Sequence, residues 1–205
     1  IVVLGMHRSG TSLIASSLQT LGVDFGNDLL PPAEDNPTGF WEDRSINQLN
    51  EEMLSFLDRR WFDLRPLVDG ELERLQVEGF GARAAGILQS KICEHPLFAL
   101  KDPRMSKLMG FWRPVFERLD IQVSSLLASR NPVAVAHSLQ KRNQFAPRLS
   151  ALLWLEHNLS CIAAMGGGVP VVDYDAMVAN PGREVRRLGE VFGLEVDPHA
   201  LADFE

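Results

Sequence analysis

Ile1 to Leu4 is an unbroken apolar run that stops at Gly5, the pattern of a parallel strand buried on both faces. From Ser12 the period changes: Leu13, Ile14, Leu18 and Leu21 recur at helical spacing until Gly22 ends the pattern. Residues 22 to 41 then break it. Their PPAEDNPTGF stretch holds too much proline and glycine for regular structure, and a loop of that length is usually functional or mobile. Glu42 to Leu57 returns to a helical pattern, and Glu71 to Cys93 holds another helix. Further strands read at 97–101 (LFALK, stopped by Asp102-Pro103), at 121–130 (IQVSSLLASR) and in VPVVDY, which ends at Tyr174 after the turn Gly166-Gly167-Gly168. Pro132 opens a helix, a long amphipathic helix covers about 147–165, and Arg183 to Phe192 forms a late one.

Strands alternating with helices predict an α/β fold of three layers, a mostly parallel central sheet flanked by helices, in one domain over 1–205. Ligands of such sheets gather beyond the carboxyl ends of the strands. That rule selects the 5–12 loop, Lys101-Asp102, Arg130 and Tyr174.

Composition narrows the partners. The net charge of −7 does not favour nucleic acid, although a local basic pocket remains compatible with it. No apolar run reaches the roughly 20 residues of a membrane helix. Cys93 and Cys161 fit no metal or redox spacing and read as buried free thiols; no metal cluster is expected. The expected location is the cytoplasm, with what precedes Ile1 left open.

The first candidate chemistry is the loop IVVLGMHRSGTS. Gly5 and Gly10, five residues apart between a strand and a helix, let backbone N–H groups and a helix N-terminus converge on an anion, as in the P-loop fold. Thr11 and Ser12 add hydroxyls. The lysine that would bridge the phosphates of a nucleoside triphosphate is missing, and Thr11 stands in its place. Arg8 instead offers a planar fork from within the loop, suited to a shorter phosphate or a phosphosulfate. The second is ASRNPVAVAHSLQKR, where Arg130 ends a strand, Asn131 can cap the next helix, and Ser138 lies about two turns in. An arginine and a serine so placed can converge on a second phosphate.

These stretches resemble the sulfotransferases that use 3′-phosphoadenosine 5′-phosphosulfate (PAPS). Arg8, Ser9, Gly10, Thr11 and Ser12 fill that family's 5′-phosphosulfate loop in order, and Arg130 with Ser138 matches its 3′-phosphate motif. Tyr174, Asp175, Pro181 and the VFGL at 191–194 follow a third, late layout, with Asp175 in place of glutamate and Met177 in place of leucine. Tyr174 has two readings, a nucleotide contact or a core or capping tyrosine. The glycine-rich KxGxxGxW segment of the cytosolic branch does not occur before Glu205, so the layout is closer to the carbohydrate and tyrosylprotein branches. The resemblance implies PAPS as donor, adenosine 3′,5′-bisphosphate as product, and sulfuryl transfer to a carbohydrate, tyrosyl or small-molecule hydroxyl, or an amine.

In-line transfer needs a base for the acceptor's proton and cations for the leaving oxygen. The resemblance points to Glu42, in NPTGFWED, as base; the other reading is an acid offsetting a helix dipole. His7 and Asp102 are alternative bases. Lys101 in LKDPRMSK resembles a lysine that faces the sulfuryl group, against a plain Asp102–Arg104 loop pair. Arg8 and the loop amides fit charge stabilisation. Phe40-Trp41 either packs the acceptor or staples the loop. Two rival functions remain: a P-loop kinase, since LFALKD and VPVVD resemble strands ending in a Mg²⁺-holding aspartate, and a catalytically silent nucleotide-binding domain.

Overall fold

Side-chain alternation along the first strand assigns the two faces of the sheet. In the computed structural model, which describes residues 1–34, 36–93, 95, 97–166 and 168–205, strand β1 (Val2–Gly5) is buried throughout. Val2 and Leu4 enter one apolar cluster and Val3 the other, as the two-residue period of a strand requires. Strands β2 (Leu100–Lys101), β3 (Ser125–Ser129) and β4 (Val171–Asp173) pair with it in the order β2-β1-β3-β4, all parallel. The chain runs from β1 to β2 on one side, then crosses to β3 on the other. This reversal of direction opens a crevice at the carboxyl ends.

Helices cover both faces. α1 (Thr11–Leu18), followed by a 3₁₀ turn over Gln19–Leu21, supplies Ile14, Ala15 and Leu18 to the Val3 face. On the opposite face, α2 (Arg44–Phe56) supplies Ile46, Leu49, Met53 and Leu54, and α3 (Asp69–Val77) and α4 (Phe80–Ile92) add Leu75 and Leu88. α5 (Met105–Arg118) crosses the centre of that face with fully buried Phe111 and Trp112. α6 (Pro132–Asn143) and α7 (Pro147–Met165) enclose a smaller cluster of Met6, Val135, Leu139 and Leu153 behind the first loop. α8 (Tyr174–Ala179), α9 (Pro181–Phe192) and α10 (Pro198–Phe204) complete the Val3 face with Met177, Val185, Leu188 and Leu201. The three-layer α/β architecture expected from the alternation is the one observed.

Differences lie in the elements. The helix expected over 71–93 is two helices, because Gly79 at φ 86° adopts a left-handed conformation that no continuous helix accommodates. α5 and α10 were not anticipated; Pro114 lies inside α5, where a missing amide argues against a helix unless packing overrides it. The strand read at 121–130 forms a ladder only over Ser125–Ser129 and the one at 97–101 only over Leu100–Lys101, because apolar runs outlast the hydrogen bonds they pack beside. Tyr174 opens α8 rather than closing β4, since Asp173 accepts from Ala176 N–H at 2.8 Å and caps the helix. Cys161 is buried as expected, but Cys93 is exposed at the C-cap of α4, directly after Ile92, which packs on the core. In the glycine turn after α7, Gly166 is left-handed and Gly167 lies outside the described residues. No helix among the described residues is long and apolar enough to cross a membrane.

Candidate active site

The first loop is shaped by two glycines whose missing side chains let other groups close in. A Cβ on Gly5, at φ 145°, would lie 2.6 Å from the Ala128 carbonyl oxygen on β3. A Cβ on Gly10, at φ 82°, would lie 2.1 Å from Cδ2 of Tyr174. Gly10 is also the N-cap of α1 and brings no side chain to the first-turn amides, which leaves them to an anion. Ser106 on α5 pins the start of the loop: its hydroxyl accepts from Gly5 N–H at 3.0 Å and donates to Gly5 C=O at 3.1 Å.

Arg8 sits at φ 70°, uncommon for a residue with a side chain. Its Nε donates to Ser138 Oγ at 2.8 Å, so the loop arginine and the α6 serine, 130 residues apart in sequence, meet directly. Arg130 leaves β3 with its guanidinium carbon 4.1 Å from the Tyr174 ring centroid. Its Nη1 is 3.4 Å from the Arg8 carbonyl, while its buried Nε has no hydrogen-bond partner among the described residues. Trp154 on α7 donates to the Arg130 carbonyl at 3.0 Å and fixes the strand end.

Across the crevice the cations are paired. Lys101, 3 % exposed at the end of β2, donates to Glu42 Oε1 at 2.6 Å and to the Phe40 carbonyl at 2.8 Å, with Ser12 Oγ at 3.3 Å. Asn47 donates to Glu42 Oε2 at 2.8 Å, and Arg104 Nη1 approaches the same oxygen at 3.5 Å. Arg104 also bonds Asp102 at 2.9 Å and Glu51. Asn50 donates to Asp102 Oδ2 at 2.9 Å and accepts from Trp112 Nε1 at 2.9 Å, so this charge cluster is anchored in the core. Burial pushes the Glu42 carboxyl above the usual carboxylate range despite Lys101. Helix capping falls to its neighbour: Asp43 accepts from Ile46 N–H at 3.0 Å, and α2 starts at Arg44 rather than at Glu42.

Both clusters face one cavity of about 620 Å³. Arg8, Gly10, Thr11, Ser12, Arg130 and Tyr174 lie on its wall with Glu42 and Lys101. Ser9, Ser138 and Asp102 do not; Ser9 Oγ is fully buried with no hydrogen-bond partner among the described residues. His7 reaches the wall but packs against Trp61, with ring centroids 4.2 Å apart and the planes tilted by 41°, and burial holds its imidazole well below its ordinary value. Phe40 lines the cavity, whereas Trp41 meets Phe25 edge-on at 5.5 Å. Sequence reasoning gave no role to Asn47, Trp61, Ser106 or Arg142, although LKDPRMSK contains Ser106 and ASRNPVAVAHSLQKR ends at Arg142; polar residues on α2 and α5 were the available signal for Asn47 and Ser106.

No family model and no curated protein matches the sequence. Among solved structures, the chain is similar to the sulfotransferase domain of the olefin synthase of Synechococcus PCC 7002. The TM-score is 0.60 at 19% identity, over 98% of this chain and 74% of that one. The protein has a sulfotransferase-like α/β fold.

Proposed function

We propose that residues 1–205 act as one unit, a sulfotransferase that moves the sulfuryl group of PAPS to a hydroxyl or amine of an acceptor. The observation that carries this reading is one cavity that has Arg8 and Arg130 on one wall and the buried Glu42–Lys101 pair on another. The loop amides with Arg8, Thr11 and Ser12 receive the 5′-phosphosulfate. Arg130 receives the 3′-phosphate, Ser138 holds the Arg8 guanidinium beside it, and Tyr174 supports Arg130 from its ring face. Ser9 shapes the loop from inside.

For a hydroxyl acceptor, its oxygen forms a bond to sulfur as the bond from sulfur to the bridging phosphate oxygen breaks. Glu42 takes the acceptor's proton, and adenosine 3′,5′-bisphosphate leaves. A carboxylate with raised proton affinity suits that task. Once Glu42 is protonated it no longer neutralises Lys101, whose charge then faces the leaving oxygen as negative charge develops there. Lys101 lies within reach of Ser12, at the phosphate end of the cavity.

Calorimetry tests the donor. Adenosine 3′,5′-bisphosphate should bind at micromolar Kd without added divalent metal; tighter binding of ATP-Mg²⁺ would overturn the reading in favour of a kinase. Transfer from labelled PAPS to a panel of hydroxyl acceptors separates an enzyme from a silent nucleotide-binding domain.

A further inference from the structure

Helix α2 carries two asparagines one turn apart, and each holds one carboxylate: Asn50 the Asp102 oxygen at 2.9 Å, Asn47 the Glu42 oxygen at 2.8 Å. Their surroundings differ. Asn50 is fully buried, braced by Trp112, and its aspartate lies off the cavity wall. Asn47 is half-buried and on the wall beside Glu42.

One donor locates a carboxylate, but a second on the other oxygen is needed to fix its plane, because the terminal torsion of glutamate is broad. Lys101 provides the first, at Oε1. At Oε2 Asn47 stands at 2.8 Å, against 3.5 Å for Arg104, which is already committed to Asp102 and Glu51. Asn47 is also neutral. It orients the carboxylate while lowering its basicity less than a cation would.

We propose that Asn47 is a positioning residue for Glu42, holding the plane of the carboxylate from its second oxygen and restraining its affinity for a proton. The charged groups facing Glu42 are Lys101 and Arg104, which favour its ionised form, and Asp102, which opposes it. A hydrogen bond to the ionised form adds to the first pair, so its loss raises the proton affinity. The catalytic consequence rests on Glu42 being the base; the effect on the carboxylate does not.

The test is a ¹³C NMR titration of the Glu42 carboxyl in the whole protein, wild type against Asn47→Ala and Asn47→Asp. The midpoint should move up in Asn47→Ala and further in Asn47→Asp, which keeps the shape but replaces the donor with a like charge. Alanine favours the helix, so that variant should fold. In turnover, kcat should fall about ten- to a hundredfold as the base loses its orientation. The acidic limb of kcat/KM should move to higher pH, with the KM for PAPS unchanged. A midpoint in Asn47→Ala that coincides with wild type overturns the proposal, whatever the activity. Glu42→Gln turning over like wild type instead overturns the base assignment and leaves the NMR result standing.

Discussion

Two cations at the ends of the strands that flank β1, Lys101 on β2 and Arg130 after β3, are held in opposite ways. Lys101 is bonded to a carboxylate at 2.6 Å. Arg130 lies over the face of Tyr174 and near the Arg8 carbonyl. A ring face and a carbonyl orient a guanidinium without cancelling its charge; a carboxylate cancels it. Arg130 therefore presents a standing positive charge to any ligand, while the Lys101 ammonium is offset by its partner whenever Glu42 is ionised. The same place in the fold yields a fixed anion site in one case and a proton-dependent one in the other, and the partner alone makes the difference.

The largest expected effect comes from removing the carboxylate. Glu42→Gln keeps the shape but not the proton affinity, so kcat should fall about 10²- to 10⁴-fold in single-turnover sulfuryl transfer at saturating donor. Bisphosphate binding should stay near wild type. A loss below about threefold would make the pair structural and move the base to His7, the other titratable candidate on the wall, since Asp102 lies off it.

The fixed cation gives a smaller effect. Arg130→Ala removes a charge-assisted contact worth about 1.5–3 kcal/mol, so adenosine 3′,5′-bisphosphate should bind roughly 10- to 100-fold more weakly. Adenosine 5′-phosphosulfate, which has no 3′-phosphate, should barely respond. Equal losses for both ligands would mean that Arg130 serves the loop rather than the 3′-phosphate, erasing the contrast with Lys101.

Smallest is the effect of pH on stability, where two wall groups oppose each other. Burial first, then the charges of Arg104, His157, Arg142 and Lys101, hold His7 well below its ordinary 6.5. The unfolded imidazole then takes a proton that the folded one refuses, so stability is lost as pH falls below 6.5, by at most about 1.4 kcal/mol per pH unit. Glu42 has the other sign. Its folded carboxyl binds a proton more tightly than the unfolded one at 4.5, so its contribution is present below 4.5 and lost as pH rises through the raised value. His7→Gln should flatten the acid-side decline in urea midpoint relative to wild type. An unchanged slope would show that the folded imidazole titrates as the unfolded one does.

Much of the fold was legible because its signals are local. The switch from the continuous apolar run at Val2–Leu4 to helical spacing after Ser12 marks a strand and a helix whatever surrounds them. α5 was not legible: Pro114 speaks against a helix locally, and the burial of Phe111, Trp112, Val115 and Phe116 around it overrides that preference. The candidate site divides likewise. Arg8 to Ser12 and Arg130 stand in contiguous motifs. Asn47 and Ser106 are ordinary residues until the folded chain sets them against Glu42 and Gly5.

By itself the sequence determined the strand–loop–helix that opens the chain and the alternation that makes the sheet parallel, because hydrophobic period acts over a few residues. Only the tertiary structure decided which cation is neutralised. Lys101 is 59 residues from Glu42, and Arg130 is 44 residues from Tyr174. An ion pair or a ring contact forms within a few ångströms, a distance that the order of strands sets and the local pattern does not contain.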